Sequence, residues 1–229
     1  MLGVIGGMGP LATADFFRKL IDATAARDDD DHIPVLIHSV PQVPSRPAAI
    51  LRGGPSPLPA LLVARDRLLA AGATMLAMPC NTAHHWYDGL VEGCEVPFIH
   101  IVDAVAELLP AGARELGIVA TRATLRARMF EQRLAQRGVA LRAPDDASYD
   151  RAVQPAIEAV KRGATAEGGH LLEPVIAAEL DRGASAVILA CTELPIALEA
   201  IGSPLRARCI DSTDALARAC VRAWARHIA

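Results

Sequence analysis

The chain has 229 residues, 52% of them apolar and 21% charged, so it is globular and long enough for one large or two modest domains. Its formal charge of −3, with no Lys/Arg stripe interleaved with aromatics, excludes a nucleic-acid footprint, and no apolar run is long enough to span a membrane. Five cysteines without a CxxC pair, behind an N-terminus lacking a basic n-region, point to a reducing, cytoplasmic setting with no disulfide framework.

In chain order, Leu2–Ile5 reads as a short strand running into Gly6-Gly7-Met8-Gly9-Pro10, a turn that glycine makes cheaply. Leu11–Ala26 follows with apolar residues at helical spacing. A glycine loop between strand and helix exposes N–H groups that suit an anion. The spacing is not the dinucleotide fingerprint, so a carboxylate is the favoured anion over a nucleotide. Asp28–Asp31 reads as a solvated loop, because a metal site needs further oxygen ligands. Residues 33–39 form a second strand. Two Pro-punctuated loops, 41–47 and 53–59, follow, of the kind that carries lids or binding residues. Arg46 in the first has the bidentate fork that grips a carboxylate, although an idle surface arginine fits the spacing equally.

A helix over 59–71 leads to the stretch on which the chain turns. Gly72-Ala73 is followed by an apolar run too short for a helix, then Pro79-Cys80-Asn81-Thr82. Gly183-Ala184 and Ala190-Cys191-Thr192-Glu193 repeat this pattern with the same eight-residue Gly-to-Cys offset. Each run fits a buried parallel strand whose carboxyl end carries the cysteine, where open α/β sheets bind ligands. Cys80 and Cys191 are 111 residues apart, as are Asp103 and Asp214, and Gly117-Ile118-Val119 echoes Gly3-Val4-Ile5 at an offset of 114. Matches in one order at a nearly constant offset indicate an internal duplication.

Further strands are expected at 96–101, 116–119, 139–142 and 208–211, and helices from Asp103 and at 124–136, 154–161, 167–182 and 213–228. The expected fold is α/β, with two pseudo-symmetric domains, each a parallel sheet flanked by helices, and the active site in the inter-domain cleft. The domains are read as 1–98 plus 209–229, and 99–208, the terminal helix packing back on the first.

A thiol on each face of a bound α-carbon is what stereochemical inversion requires: one removes the proton as thiolate, the other returns one as thiol. The helix N-terminus after each cysteine is expected to lower its pKa toward the range of about 3.5–7.5. Asn81, Thr82 and Thr192 can hold a substrate carboxylate, or cap the helices that follow. Cys94, Cys209 and Cys220 read as packed small hydrophobes. His84 and His85 are helix-start residues, either of which can orient a carboxylate or partner Cys80. A zinc site from Cys80, His84, His85 and Cys191 fits none of the familiar ligand spacings.

Gly6-Gly7-Met8-Gly9-Pro10 with Ala12-Thr13, Pro79-Cys80-Asn81-Thr82-Ala83-His84 and Ala190-Cys191-Thr192-Glu193-Leu194-Pro195 resemble the signatures of the aspartate/glutamate racemase family, in particular its cofactor-independent aspartate racemase branch. The resemblance covers essentially the whole chain. It implies a two-domain enzyme, commonly a homodimer, that racemises an acidic amino acid without pyridoxal phosphate or metal. Cys80 and Cys191 fall on the two catalytic positions, Arg46 on the arginine that grips a substrate carboxylate, and Lys161 on a lysine assisting from the second domain. The substrate-binding candidates are Met8, Gly9, Arg46, Asn81, Thr82, Thr121, Lys161, Thr192 and Glu193. Val40 and Ser45 stand where the family usually has Asn and Asp, which leaves the preferred amino acid open. Hydantoin racemisation, malonate decarboxylation, maleate isomerisation and non-catalytic dicarboxylate binding are the competing readings.

Overall fold

A computed structural model describes residues 1–228. The first sheet is built from β1 (Leu2–Gly6), β2 (Val35–Ser39), β3 (Met75–Ala77) and β4 (Phe98–Ile99), all parallel, in the order β2-β1-β3-β4. Around these strands run α1 (Pro10–Ala23), α2 (Arg46–Arg52), α3 (Leu58–Ala70), α4 (Tyr87–Val91) and α5 (Ile101–Ala106). The second sheet comprises β5 (Glu115–Ala120), β6 (Ala140–Arg142), β7 (Val187–Ala190) and β8 (Cys209–Asp211), parallel in the order β6-β5-β7-β8. Its helices are α6 (Arg122–Ala127), α7 (Met129–Ala135), α8 (Asp146–Ser148), α9 (Gln154–Lys161), α10 (Thr165–Asp181) and α11 (Glu193–Ala200), with α12 (Ser212–Ile228) closing the chain.

The two strand orders are the same order shifted by four strands, so the repeat read from glycines and cysteines is a repeat of topology. The chain divides into two compact units: Met1–Ala104 together with Thr213 onward, and Val105–Ser212. These cuts fall a few residues beyond the 98/99 and 208/209 junctions read from the sequence. Ala229, the last residue of the expected first domain, lies outside the described residues. No helix among the described residues is long and apolar enough to cross a membrane.

Central strands are uniformly apolar because helices cover both faces: β1, β3 and β7 are buried along their length. The edge strand β2 is only partly covered. Gly3 pairs with Leu76 in the middle of β3; a Cβ there would lie 2.8 Å from the Ala73 side chain, just before that strand. Gly7, at the tip of β1, has φ +89°, and a Cβ on it would lie 2.3 Å from the Val40 backbone nitrogen. Thr13 then locks the loop: its hydroxyl accepts from the Gly7 N–H and donates to the Gly9 carbonyl, both at 2.9 Å.

Two local expectations change. The helix expected over 124–136 is α6 and α7, broken at Arg128, which adopts φ 54°. In an unbroken helix Arg128 would follow Thr124 onto the core face; the break turns it to solvent and sends Met129 and Phe130 inward instead. After Cys80 the chain forms a 3₁₀ helix, Thr82–Trp86, before α4 begins.

Gly7→Ala should cost about 2–4 kcal/mol, since a strained φ and a backbone clash coincide there. Gly53→Ala, at φ 66° with nothing near the added Cβ, should cost only about 1–2 kcal/mol. Urea unfolding of the two variants measures the difference.

Candidate active site

The pairing of β1 with β3 sets Val4 against Ala77, which brings the loop after β1 and the loop after β3 to one edge of the first sheet. Met8 from the first loop, Cys80 from the second and Val43 from the loop before α2 share one buried cluster. Gly9 caps α1 through its backbone. Two residues, Met78 and Pro79, separate Cys80 from β3, and the Cys80 N–H turns back to the Met78 carbonyl at 2.8 Å. Cys80, Asn81 and Thr82 are all buried, and the Asn81 side chain makes no capping bond to the 3₁₀ helix it precedes.

Arg46 is half-buried at the start of α2. One terminal nitrogen donates to the Val43 and Pro44 carbonyls at 3.0 and 3.2 Å, while its buried Nε has no hydrogen-bond partner. An unpaired buried donor on a guanidinium is a cost that an arriving carboxylate removes. Val40 donates its N–H to the Gly6 carbonyl and packs on the first core; Ser45 accepts from the Ala48 N–H and caps α2. Both departures from the usual racemase stretch thus have local structural work in this chain.

In the second sheet Ala120 pairs with Ala190, so Thr121 and Cys191, the next residues on each strand, are neighbours at its carboxyl edge. Thr121 caps α6, accepting from the Thr124 N–H at 3.1 Å. Cys191 is buried at 6% exposure, and its thiol donates to Oε2 of Glu193 at 3.0 Å. The Thr192 hydroxyl donates to the same oxygen at 3.2 Å rather than capping α11. Lys161, exposed in the last turn of α9, is close enough for its charge to favour the Cys191 thiolate.

The expected lowering of the Cys191 pKa is overturned. Burial, then the Glu193 carboxylate, holds this thiol well above the ordinary thiol range, and Lys161 offsets them only in part. Desolvation penalises a thiolate more than one short helix's dipole repays, and the first residue of that helix is itself acidic. Cys209 is likewise pushed up, to about 12, by burial and then Asp211. Cys220, fully buried on α12, is raised by burial.

The sequence reading missed Tyr149. A π-helical turn, Tyr149–Val153, sets its ring in the core cluster that holds Cys191. Its hydroxyl accepts from the Arg122 N–H at the start of α6 and donates to Gln154 at 2.9 Å. The Arg122 guanidinium stacks 4.2 Å from the ring and pairs with Asp146 and Asp150. Burial holds the phenol above its usual range, and Cys191 is among the groups that act on it. Its only sequence signal is the rarity of tyrosine here. Among the described residues no three His, Cys, Asp or Glu side chains gather as metal ligands.

Comparison with known proteins gives this geometry its family. Residues 5–220 match the family model described as Asp/Glu/Hydantoin racemase. The chain is 28% identical over 230 residues to the broad specificity amino-acid racemase RacX of Bacillus subtilis (strain 168), covering 98% of each. The solved Picrophilus torridus aspartate racemase is 31% identical, with a TM-score of 0.86 over 97% of this chain and 93% of that one. The Francisella tularensis subsp. tularensis SCHU S4 glutamate racemase, solved in complex with D-glutamate, shares the fold at 16% identity and a TM-score of 0.71, covering 99% of this chain and 81% of that one. A match across nearly the whole chain, on a fold shared with solved racemases, makes it a member of the Asp/Glu/hydantoin racemase family.

Proposed function

We propose that the chain is a cofactor-independent racemase that interconverts the L and D forms of aspartate, glutamate or a related amino acid, with Cys80 and Cys191 as the two acid/base groups. The observation that carries this reading is the duplicated placement of one buried cysteine just past the carboxyl end of β3 and of β7, each followed by buried polar residues. The Picrophilus torridus relative is an aspartate racemase and the Bacillus subtilis relative is named for broad specificity. Both support amino-acid racemisation. The range between them is consistent with a pocket that keeps Arg46 but replaces its usual Asn and Asp neighbours with Val40 and Ser45.

In one direction the Cys80 thiolate takes the α-proton and the Cys191 thiol delivers its own proton to the opposite face of Cα. The charge left on carbon spreads into the carboxylate, held by Asn81, Thr82 and the glycine loop with Met8 and Gly9. Thr121 and Thr192 serve the second half, and Arg46 holds a second carboxylate where the substrate has one. In the reverse direction the pair starts as the forward step leaves it, Cys191 as thiolate and Cys80 as thiol, so Cys191 takes the α-proton and Cys80 delivers its own. From the resting pair that state is reached when the Cys191 proton passes to Oε2 of Glu193, already its hydrogen-bond acceptor, leaving Glu193 protonated, while Cys80 takes a proton from solvent, and Lys161 stabilises the Cys191 thiolate formed. Glu193 thus holds Cys191 as a thiol at rest and serves as the local proton acceptor when a base is needed. A homodimer in the cytoplasm completes the reading, by the family resemblance and the reduced cysteines.

In deuterated buffer, each enantiomer should acquire solvent deuterium at Cα, read by chiral chromatography and mass spectrometry without added cofactor. Cys80→Ser and Cys191→Ser should each lower racemisation by about 10²–10⁴-fold, the span of a lost acid/base group. Each variant should retain α-proton exchange of one enantiomer; normal racemisation by both would end the two-base reading. Glu193→Gln removes a charge that raises the Cys191 pKa, so alkylation of Cys191 by iodoacetamide should titrate at lower pH than in the parent protein. Racemisation should nonetheless fall, by about 10–100-fold, because the proton acceptor is gone. Peptide mass spectrometry across pH 7–11 reads the alkylation shift.

A further inference from the structure

Resting on the racemase reading, we propose that His84 is the positioning residue for Cys80, holding the cysteine's main chain through one ring nitrogen while the other is anchored to the start of α5. The Ile101 N–H donates to Nε2 of His84 at 3.2 Å, so that nitrogen carries a lone pair and not a proton. The ring proton therefore lies on Nδ1, which donates to the Cys80 carbonyl at 2.9 Å. The assignment follows from the hydrogen-bond pattern. His84 is 3% exposed, with its ring edge-on to His100 at 4.8 Å and stacked with Tyr87 at 6.1 Å. Tyr87 in turn donates to the Phe98 carbonyl at 2.8 Å, which fixes the aromatic group to β4. The imidazole therefore has no freedom to follow Cys80 if that residue moves.

Magnitudes separate a role in positioning from one in stability. A neutral hydrogen bond adds little to folding free energy once its exchange with water is counted. Displacing a reacting group by about 1 Å costs about a hundredfold in rate. The first turn of α5 also has a second imidazole acceptor, since His100 Nδ1 accepts from the Val102 N–H at 3.1 Å. His84 adds the bond to Cys80, whose own N–H is already turned back on Met78. With both its N–H and its carbonyl held, the cysteine's Cα–Cβ bond, from which the sulfur hangs, points in one direction.

Two near-isosteres divide the ring's functions. His84→Asn keeps a donor where Nδ1 stands and loses the acceptor for Ile101; His84→Gln keeps that acceptor and loses the donor to Cys80. Each variant gives up one neutral buried hydrogen bond and should melt lower by a similar amount; His84→Gln should lose about 10–100-fold in kcat, whereas His84→Asn, which keeps the bond to Cys80, should lose less than about tenfold. The primary deuterium isotope effect in His84→Gln should rise for the enantiomer whose α-deuteron Cys80 removes and fall toward one for the other. Cys80→Ser identifies which enantiomer that is. The alkylation rate of Cys80, measured in the Cys191→Ser background, should also differ between His84→Gln and His84→Asn. Equal loss in both variants in step with melting temperature, or isotope effects that rise alike in both directions, would overturn the positioning role. Absence of racemisation by the parent protein would instead overturn the racemase reading, and normal racemisation by Cys80→Ser would overturn the role of Cys80 in it; in either case the alkylation comparison would still decide whether His84 sets the thiol.

Discussion

The constraint on which the rest depends is the parallel pairing of β1 with β3 and of β5 with β7. Parallel strands end at the same edge, so whatever follows one stands beside whatever follows the other. In the first sheet this sets the glycine loop beside the Cys80 loop; in the second it sets Thr121 beside Cys191. Gly3 permits the close pairing in the first sheet, and Thr13 keeps the loop after β1 from relaxing. Remove the register and the cysteines are two thiols in two cores, chemically unremarked.

The two thiols are held by different means. Cys191 is governed by a side chain: a carboxylate two residues on accepts a hydrogen bond from its thiol, and that carboxylate also accepts from the Thr192 hydroxyl. Cys80 is governed through its main chain, by a histidine four residues on that spans to the start of α5. A duplicated fold has thus diverged in the electrostatics of its repeated positions while keeping their topology. Inversion needs two groups that exchange the roles of acid and base, and the surroundings of each group set how readily it takes either role.

Much of the fold was legible in the sequence. Buried parallel strands leave uninterrupted apolar runs, and duplicated turn chemistry leaves glycines and cysteines at a fixed offset, as Gly72–Cys80 and Gly183–Cys191 do. What was illegible is tertiary. The break at Arg128 is set by which side chains find the core, and the π turn that delivers Tyr149 has no local signature. The tie from His84 to Ile101 joins residues whose proximity only the sheet creates. The pKa of Cys191 was misread because a helix start can be seen in sequence, whereas the depth of burial that outweighs it cannot. Arg46 was found through its chemistry, yet its unpartnered Nε is a fact of the folded loop.

The burial of Cys191 has a consequence for durability. Peroxides and disulfides attack thiolates, and attack is selective for exposed, ionised sulfur. A sulfur kept protonated at rest and only 6% exposed withholds the reactive form from oxidants while no substrate is present. Cys191 is thereby kept off the path to the irreversible sulfinic and sulfonic acids.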